Sequence, residues 1–434
     1  MEQNSRVFMI GWEYPPHITG GLGIACKGLS KALAKRKNHV YFMVPKLWGD
    51  EEKNEGIDLF DTQTYKEKLD KDDLLALESM APYPETGERF LTSYGIYGEE
   101  PVHINEISSQ STSVPFSGSQ LSGGYSEKTY WEIERYALWA AAYAKILNFD
   151  IIHCHDWMTY PAGLAAAKAS GKPLFCHVHA TEFDRSGENV NQYIYNLERE
   201  AYHQCDHIIT VSNFTKQKLI DRYDIPGSKI VTIHNGVDFE IQVNDLVAEK
   251  GKQVSKGEKL VLYLGRVTFQ KGPDYFVRAA KKVIEKMDNV RFVMGGTGDM
   301  YHRMIELAAD LGIGKYFHYT GFLNKKDVTR LYRLSDLYVM PSVSEPFGLS
   351  PLEAMLHKVP VIISKQSGVS EVIQHCLQVD FWNVDEMAQS MLSVLMNGEL
   401  HESLSKNGHD EVKKITWDLA AIKIEKEYRT LVVA

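Results

Sequence analysis

The feature that most restricts this chain's fold is an alternation that occurs twice. Short apolar runs are each followed by a longer stretch whose apolar residues recur at helical spacing. The first series has runs at 6–11, 39–45, 151–155, 174–179, 207–211 and 230–234, with a helix predicted over 24–37. The tetrapeptide NGVD at 235–238 is a turn signal that closes it. The second series has runs at 260–264, 290–294, 317–320, 337–340 and 359–363. Strand alternating with helix predicts parallel sheets covered by helices on both faces. Two series predict two α/β domains, at 1–238 and 259–410, joined by a polar linker at 239–258, with 411–434 left as a C-terminal segment. The length, 434 residues, agrees, because it exceeds what one ordinary core supports. Ligands of such sheets bind at the carboxyl ends of the strands, so motifs placed there carry the most weight.

Residues 46–130 break the rhythm. They hold a charged stretch at 50–73 and a Ser/Gly-rich stretch at 107–124. The latter reads either as a disordered insert or as an acceptor-binding flap.

Composition excludes several classes. Apolar residues make up 44% and charged residues 24%, as in a soluble globular enzyme. No apolar run reaches the roughly 18 residues of a membrane span, and the N-terminus lacks a signal peptide's core and cleavage site. The five cysteines (26, 154, 176, 205, 376) are scattered, with no CxxC pair, and read as packed thiols of a cytoplasmic protein. Residues 1–240 carry 23 Lys/Arg against 33 Asp/Glu, while the remainder carries 25 against 24. An acidic first half disfavours nucleic acid and anionic lipid and suits a neutral acceptor.

Five motifs follow strands. TGGLG at 19–23 joins the first strand to the first helix, where glycine lets backbone N–H groups approach an anion. It is not the dinucleotide fingerprint G-x-G-x-x-G, which disfavours a dehydrogenase. HCHDW at 153–157 and the pair His177/His179 place alternate histidines on one strand face. A hydrolase metal site of the HxHxDH type needs another histidine where Trp157 stands, so no metal is expected. His153 and His177 read as hydrogen-bonded within the sheet edge, and His155 and His179 as facing a cleft. GRVTFQKG at 265–272 sets Arg266 and Lys271 at a strand's carboxyl end, where two cations stabilise a departing diphosphate. GGTGD at 295–299 contains Gly298, a position for close backbone approach. SEPFGLSPLEAM at 344–355 is the most informative string. If Gly348, Leu349 and Ser350 open a helix, their N–H groups offer a phosphate site, with Glu345 on the loop before it and Glu353 inside the helix.

WEYPPHITGGL, HCHDW, GRVTFQKG, GGTGD and EPFGLSPLE stand in the order and spacing of the retaining glycosyltransferases of the GT-B fold. The chain resembles family 4 of these enzymes and the related bacterial and archaeal glycogen (starch) synthases, over nearly its whole length. The resemblance implies two Rossmann-like domains facing a central cleft, with the helix after Trp417 crossing back to the first domain. It implies that Gly20 and Gly21 approach the donor phosphates, that His155 touches the donor sugar, and that Arg266 and Lys271 bind the diphosphate. Glu345 would contact the sugar and Glu353 the ribose. Phe347, Gly348, Leu349, Ser350, Gly298 and His179 complete the substrate-binding set, and Glu13 lines the acceptor side. The donor would be a nucleotide-sugar, UDP-glucose or ADP-glucose, with no metal required, and the acceptor a sugar or glucan.

Two departures bear on the donor. Enzymes of the ADP-glucose type carry a lysine where Ile18 stands and tend to lack the second glutamate, present here as Glu353. Both favour family 4, whereas HCHDW leans toward the glucan synthases. Two other readings stay open: a sugar-nucleotide epimerase or isomerase on the same fold, and a non-catalytic carbohydrate-binding relative.

Overall fold

A computed structural model of the chain describes residues 4–18, 20–79, 90–92, 95–97, 127–238 and 257–432. Thr19, the Ser/Gly-rich stretch at 107–124 and linker residues 239–256 lie outside them. The chain divides into two compact units, Met1–Ile208 with Glu425–Ala434, and Ile209–Ile424. The division falls ahead of the turn at 235–238, inside a strand that begins at His207.

The first sheet contains β1 (Arg6–Ile10), β2 (His39–Met43) and β3 (Ile57–Phe60). A separate antiparallel pair, β4 (Phe90–Thr92) and β5 (Gly95–Tyr97), interrupts the series. The sheet resumes with β6 (Ile151–His155), β7 (Leu174–Val178), β8 (His207–Thr210) and β9 (Ile230–Thr232). Its order is β3-β2-β1-β6-β7-β8-β9. Strands β1, β2, β3, β6 and β7 pair in parallel. Every residue of β6 and β7 is buried, as expected for strands covered on both faces.

The second sheet contains β10 (Lys259–Leu264), β11 (Val290–Gly295), β12 (Phe317–Gly321), β13 (Leu337–Met340), β14 (Val361–Ser364) and β15 (Leu377–Val379), in the order β12-β11-β10-β13-β14-β15. Alternate residues of β10 enter different cores. Val261 and Tyr263 join one with Phe276 and Phe292, and Leu260 and Leu262 join another with Leu352 and Ile363. The helix Pro273–Ile284 covers the first of these faces through Phe276, Ala280 and Val283, one helical stripe. It starts with proline in its first turn and ends on Lys281 and Lys282, which suits the helix dipole at both ends.

The stretch at 46–130 is not wholly apart from the sheet, as its broken rhythm had implied. Its residues 57–60 form β3, paired with β2. The segment at 411–434 is not one helix either. A helix Gly398–Val412 ends there, and a second, Trp417–Val432, begins after a short break. Within the first unit, Glu425 accepts from Arg36 (2.9 and 2.8 Å) and Asn38 (2.6 Å). Among the described residues no helix is long and apolar enough to cross a membrane.

Candidate functional site

In both sheets the strand order reverses beside the first strand, between β1 and β6 and between β10 and β13. The loops leaving those strands at their carboxyl ends part to opposite sides, which opens a crevice for a ligand. The sequence-predicted residues fall into two groups, one in each unit, and most of them lie on these loops.

In the second unit the loop after β10 carries Arg266 and Lys271, and the loop after β13 carries Glu345. Lys271 Nζ lies 2.5 Å from Glu345 Oε2, which also accepts from the Ser342 hydroxyl at 3.2 Å. A charge-assisted bond of this length fixes both side chains. Glu345 is only 7% exposed, and Lys271 is the cation that faces it. Arg266 is held by Gln270, whose Oε1 accepts from its guanidinium at 3.0 Å. Gln270 is buried, and its carbonyl accepts from the Val343 N–H at 2.9 Å, tying the two loops together.

Glycine is obligatory at two contacts here. A Cβ on Gly298 would stand 2.3 Å from the Val267 carbonyl oxygen, so the loop after β11 lies directly on the arginine loop. Gly348 has φ +104°, outside the range open to other L-residues, and it immediately precedes the helix Leu349–Leu356. That helix has no side-chain cap, which leaves the first-turn N–H groups of Leu349 and Ser350 in an anion-binding arrangement. Glu353 sits one turn further in. Its Oε2 accepts from the Tyr332 hydroxyl at 3.1 Å, and loss of water pushes its carboxyl above the ordinary range. Phe347 does not face an open surface. It is 3% exposed and packs in the core with Leu352 and Val369.

In the first unit Glu13 follows β1, and Gly20 precedes the helix Gly21–Lys35. The helix begins earlier than the 24–37 reading, so Gly21 is its first residue. No side chain at Gly20 caps it; Glu13, 4% exposed, accepts the Gly23 N–H at 3.2 Å instead. A buried acid on a helix N-terminus is a stabilising placement.

Parallel β6 and β7 set His155 directly opposite His177 and His153 one step away, all on one face. His153 and His155 stack with ring centroids 4.6 Å apart. His153 Nδ1 meets the Tyr428 hydroxyl at 2.5 Å, and its Nε2 meets His177 Nδ1 at 3.1 Å. His155 Nδ1 meets His179 Nε2 at 3.0 Å. Burial pushes all four imidazoles down, His153 and His179 to about 3, so the rings are neutral at pH 7. His155 is fully buried, not open as the sequence reading had it, while His179 is partly exposed.

Asp156, next to His155, has φ +60° and turns its carboxylate onto the following loop. Its Oδ1 accepts from the N–H groups of His179 (2.7 Å) and Ala180 (3.2 Å), which holds His179 against His155. Burial raises the Asp156 carboxyl to about 6, against the pull of Arg185. Arg185 in turn pairs with the buried Glu182 (3.0 Å) and Glu198.

Sequence reasoning missed Gln270, Tyr332, Asp156 and the Glu182–Arg185–Glu198 network. Only the last had a readable signal. Thr181 and Asp184 stand at capping-box spacing just after His179, and the box forms.

Residues 119–241 match the family model described as Glycosyltransferase Family 4, and residues 247–411 that described as Glycosyl transferases group 1. An uncharacterized glycosyltransferase of Methanocaldococcus jannaschii is 28% identical over 439 residues, covering 98% of each chain. Among solved structures, sucrose-phosphate synthase of Thermosynechococcus elongatus superposes with TM-score 0.73 at 19% identity, over 99% of this chain and 100% of that one. Anabaena HepE, solved with UDP and glucose, superposes with TM-score 0.67 at 15% identity, over 99% and 100%.

Proposed function

Since the chain is a glycosyltransferase that joins a family 4 region to a group 1 region on the GT-B fold, we propose that it transfers a hexosyl group, glucosyl by its motifs, from a nucleotide-sugar to a sugar or glucan with retention at the anomeric carbon, as glycogen synthases do. The observation that carries this reading is the Lys271–Glu345 pair at the strand-order reversal of the second sheet, with Arg266 on the same loop as the lysine. HepE's complex with UDP and glucose supports a nucleotide-sugar donor, UDP-glucose or ADP-glucose.

The proposed roles follow from charge and position. A diphosphate entering beside Lys271 competes with Glu345 for the ammonium, so donor binding frees the glutamate for the sugar hydroxyls. As the anomeric bond breaks, negative charge grows on the diphosphate. Arg266, Lys271 and the N–H groups of Leu349 and Ser350 stabilise it, which lowers the barrier to departure. The leaving phosphate takes the acceptor hydroxyl's proton as attack occurs on the same face. Glu353, steadied by Tyr332, accepts from the ribose hydroxyls. Neutral His155 hydrogen-bonds the donor sugar without repelling developing positive charge at its anomeric carbon. Gly20, Gly21 and Gly298 allow backbone approach, and Glu13 and His179 serve the acceptor side. Residues 1–238 take the acceptor and 259–410 the donor, with 239–258 as linker and 411–434 returning to the first domain. The proposed location is the cytoplasm, with which five buried cysteines outside any disulfide agree.

The test is a donor screen. UDP-, ADP- and GDP-sugars are offered with and without maltooligosaccharide or glycogen, and released nucleoside diphosphate and extended acceptor are measured. Release with acceptor extension and an unchanged anomeric configuration is expected. Conversion of the donor's sugar without release would make the protein an epimerase, and no change in any donor would make it a binding protein.

A further inference from the structure

The face of β6 and β7 that carries the histidines holds more imidazole than sugar transfer uses. One ring nitrogen from each of His153, His155 and His177 can be chosen so that all three lie within 4.8 Å of one another. All three rings are at most 2% exposed. Two nitrogens there, His155 Nε2 and His177 Nε2, are buried with no hydrogen-bond partner. Native proteins rarely leave such atoms unsatisfied unless they serve a water, an ion or a catalytic task.

The other nitrogen of His155 and of His177 is engaged, and His153 has both of its nitrogens engaged. His155 Nδ1 is bonded to His179, and His177 Nδ1 to His153, whose own Nδ1 is bonded to Tyr428. This is the arrangement by which metal-ligating histidines are oriented, with one nitrogen fixed by an outer partner and the other left with its lone pair forward.

We propose that His155 and His177, the latter oriented by His153, form a binding site for a divalent ion of the zinc class, and that its occupancy holds His155 and shuts sugar transfer down. Imidazole nitrogen is the preferred donor for zinc, copper and nickel and a poor one for magnesium or calcium. Tetrahedral zinc–nitrogen bonds of about 2.0–2.1 Å set the nitrogens about 3.3 Å apart, so nitrogens as far as 4.8 Å apart would close by up to about 1.5 Å through ring rotation. Water completes the coordination. The thiols Cys154 and Cys176, 3.7 Å apart, alternate with these histidines along β6 and β7, on the opposite face, so the ion has nitrogen and oxygen neighbours and no sulfur. The site stands without the transferase reading; the inhibition rests on it.

The full-length protein is stripped with a chelator and titrated with Zn2+ alone by equilibrium dialysis. About one zinc per chain is expected, with X-ray absorption at the zinc edge showing at least two imidazoles and no sulfur. His177→Gln, which removes no proposed transfer residue, is expected to weaken zinc binding at least about tenfold, since loss of even an outer partner has that effect. Zinc is expected to suppress UDP release from UDP-glucose in the parent protein and to lose that effect in the His177→Gln variant. An exposed group of His17, Asp50 and Glu51 is the competitor. Zinc that leaves on His17→Ala but not on His177→Gln overturns the proposal. So does a sulfur-bearing or imidazole-free absorption spectrum, which is read on the parent protein and is independent of how a variant folds. Failure to retain zinc overturns it as well. Zinc bound as described but without effect on turnover overturns the inhibitory role. Absence of turnover in metal-free protein instead counts against the transferase reading.

Discussion

At the strand-order reversal of the first sheet stand neutral imidazoles and a raised aspartate, all but His179 fully buried. At the corresponding reversal of the second stand two partly exposed cations and the glutamates Glu345 and Glu353. The scaffold is the same, yet one crevice is dominated by neutral imidazoles and the other by paired ions. Topology sets where the loops part, and the loop residues set the chemistry there. On the proposed reading the imidazole crevice serves hydroxyls and a developing cation, and the ionic one a diphosphate.

The largest expected effect lies in the ionic crevice. Lys271→Ala removes the charge facing the leaving group and leaves Glu345 unpaired. Turnover should fall on the order of 100-fold or more, a larger effect than the accompanying loss of thermal stability. Unchanged release of nucleoside diphosphate would take Lys271 out of the site.

Acid should separate the two crevices next. The His153 and His179 imidazoles sit at about 3 in the folded chain, below their ordinary 6.5. The unfolded chain therefore binds more protons between those values. The stability they contribute is complete above pH 6.5 and is lost as pH falls through that window. Asp156, raised to about 6, works in the opposite sense and offsets part of the loss. The unfolding free energy from urea titrations should fall from pH 7 to pH 5, and should fall less steeply in the His153→Gln variant. A flat profile in the parent protein would mean that these rings are not buried in solution.

Tyr332→Phe should act on binding alone. Loss of one hydrogen bond to Glu353, about 1 kcal/mol, should raise the donor KM several-fold and leave kcat nearly unchanged. An equal fall in kcat would move Glu353 from the ribose to the reacting centre. The smallest effect is expected away from both crevices. Arg6 pairs with Asp150 through two side-chain bonds, at 3.1 and 2.6 Å, but the arginine is 39% exposed. Asp150→Asn should cost only about 0.5 kcal/mol. A cost near that of the acid transition would show that surface pairs weigh as much as buried rings.

Much of this molecule is readable without coordinates. The strands of both sheet interiors follow from apolar runs, because a strand buried on both faces must be apolar throughout. Of the two parallel sheets, the strands that were missed, β3 and β15, lie at the edges. They are short and expose Asp58 and Gln378, so they leave no continuous run to find. The motif glycines and the Glu345–Glu353 string were likewise legible, since a positive φ or a helix entry restricts residue type locally.

Side-chain partners were not legible. Nothing in the order of residues joins Gln270 to Val343, Tyr332 to Glu353, or Tyr428 to His153, because each contact crosses between strands, loops or helices that only packing brings together. The sequence by itself determined that two parallel sheets form and that cations, glutamates and histidines lie at their strand ends. Tertiary structure alone decided that Lys271 and Glu345 form a pair and that His153, His155 and His177 share one buried face. Local chemistry restricts backbone conformation, but the charge and hydrogen bonding of a side chain depend on neighbours far away in the chain.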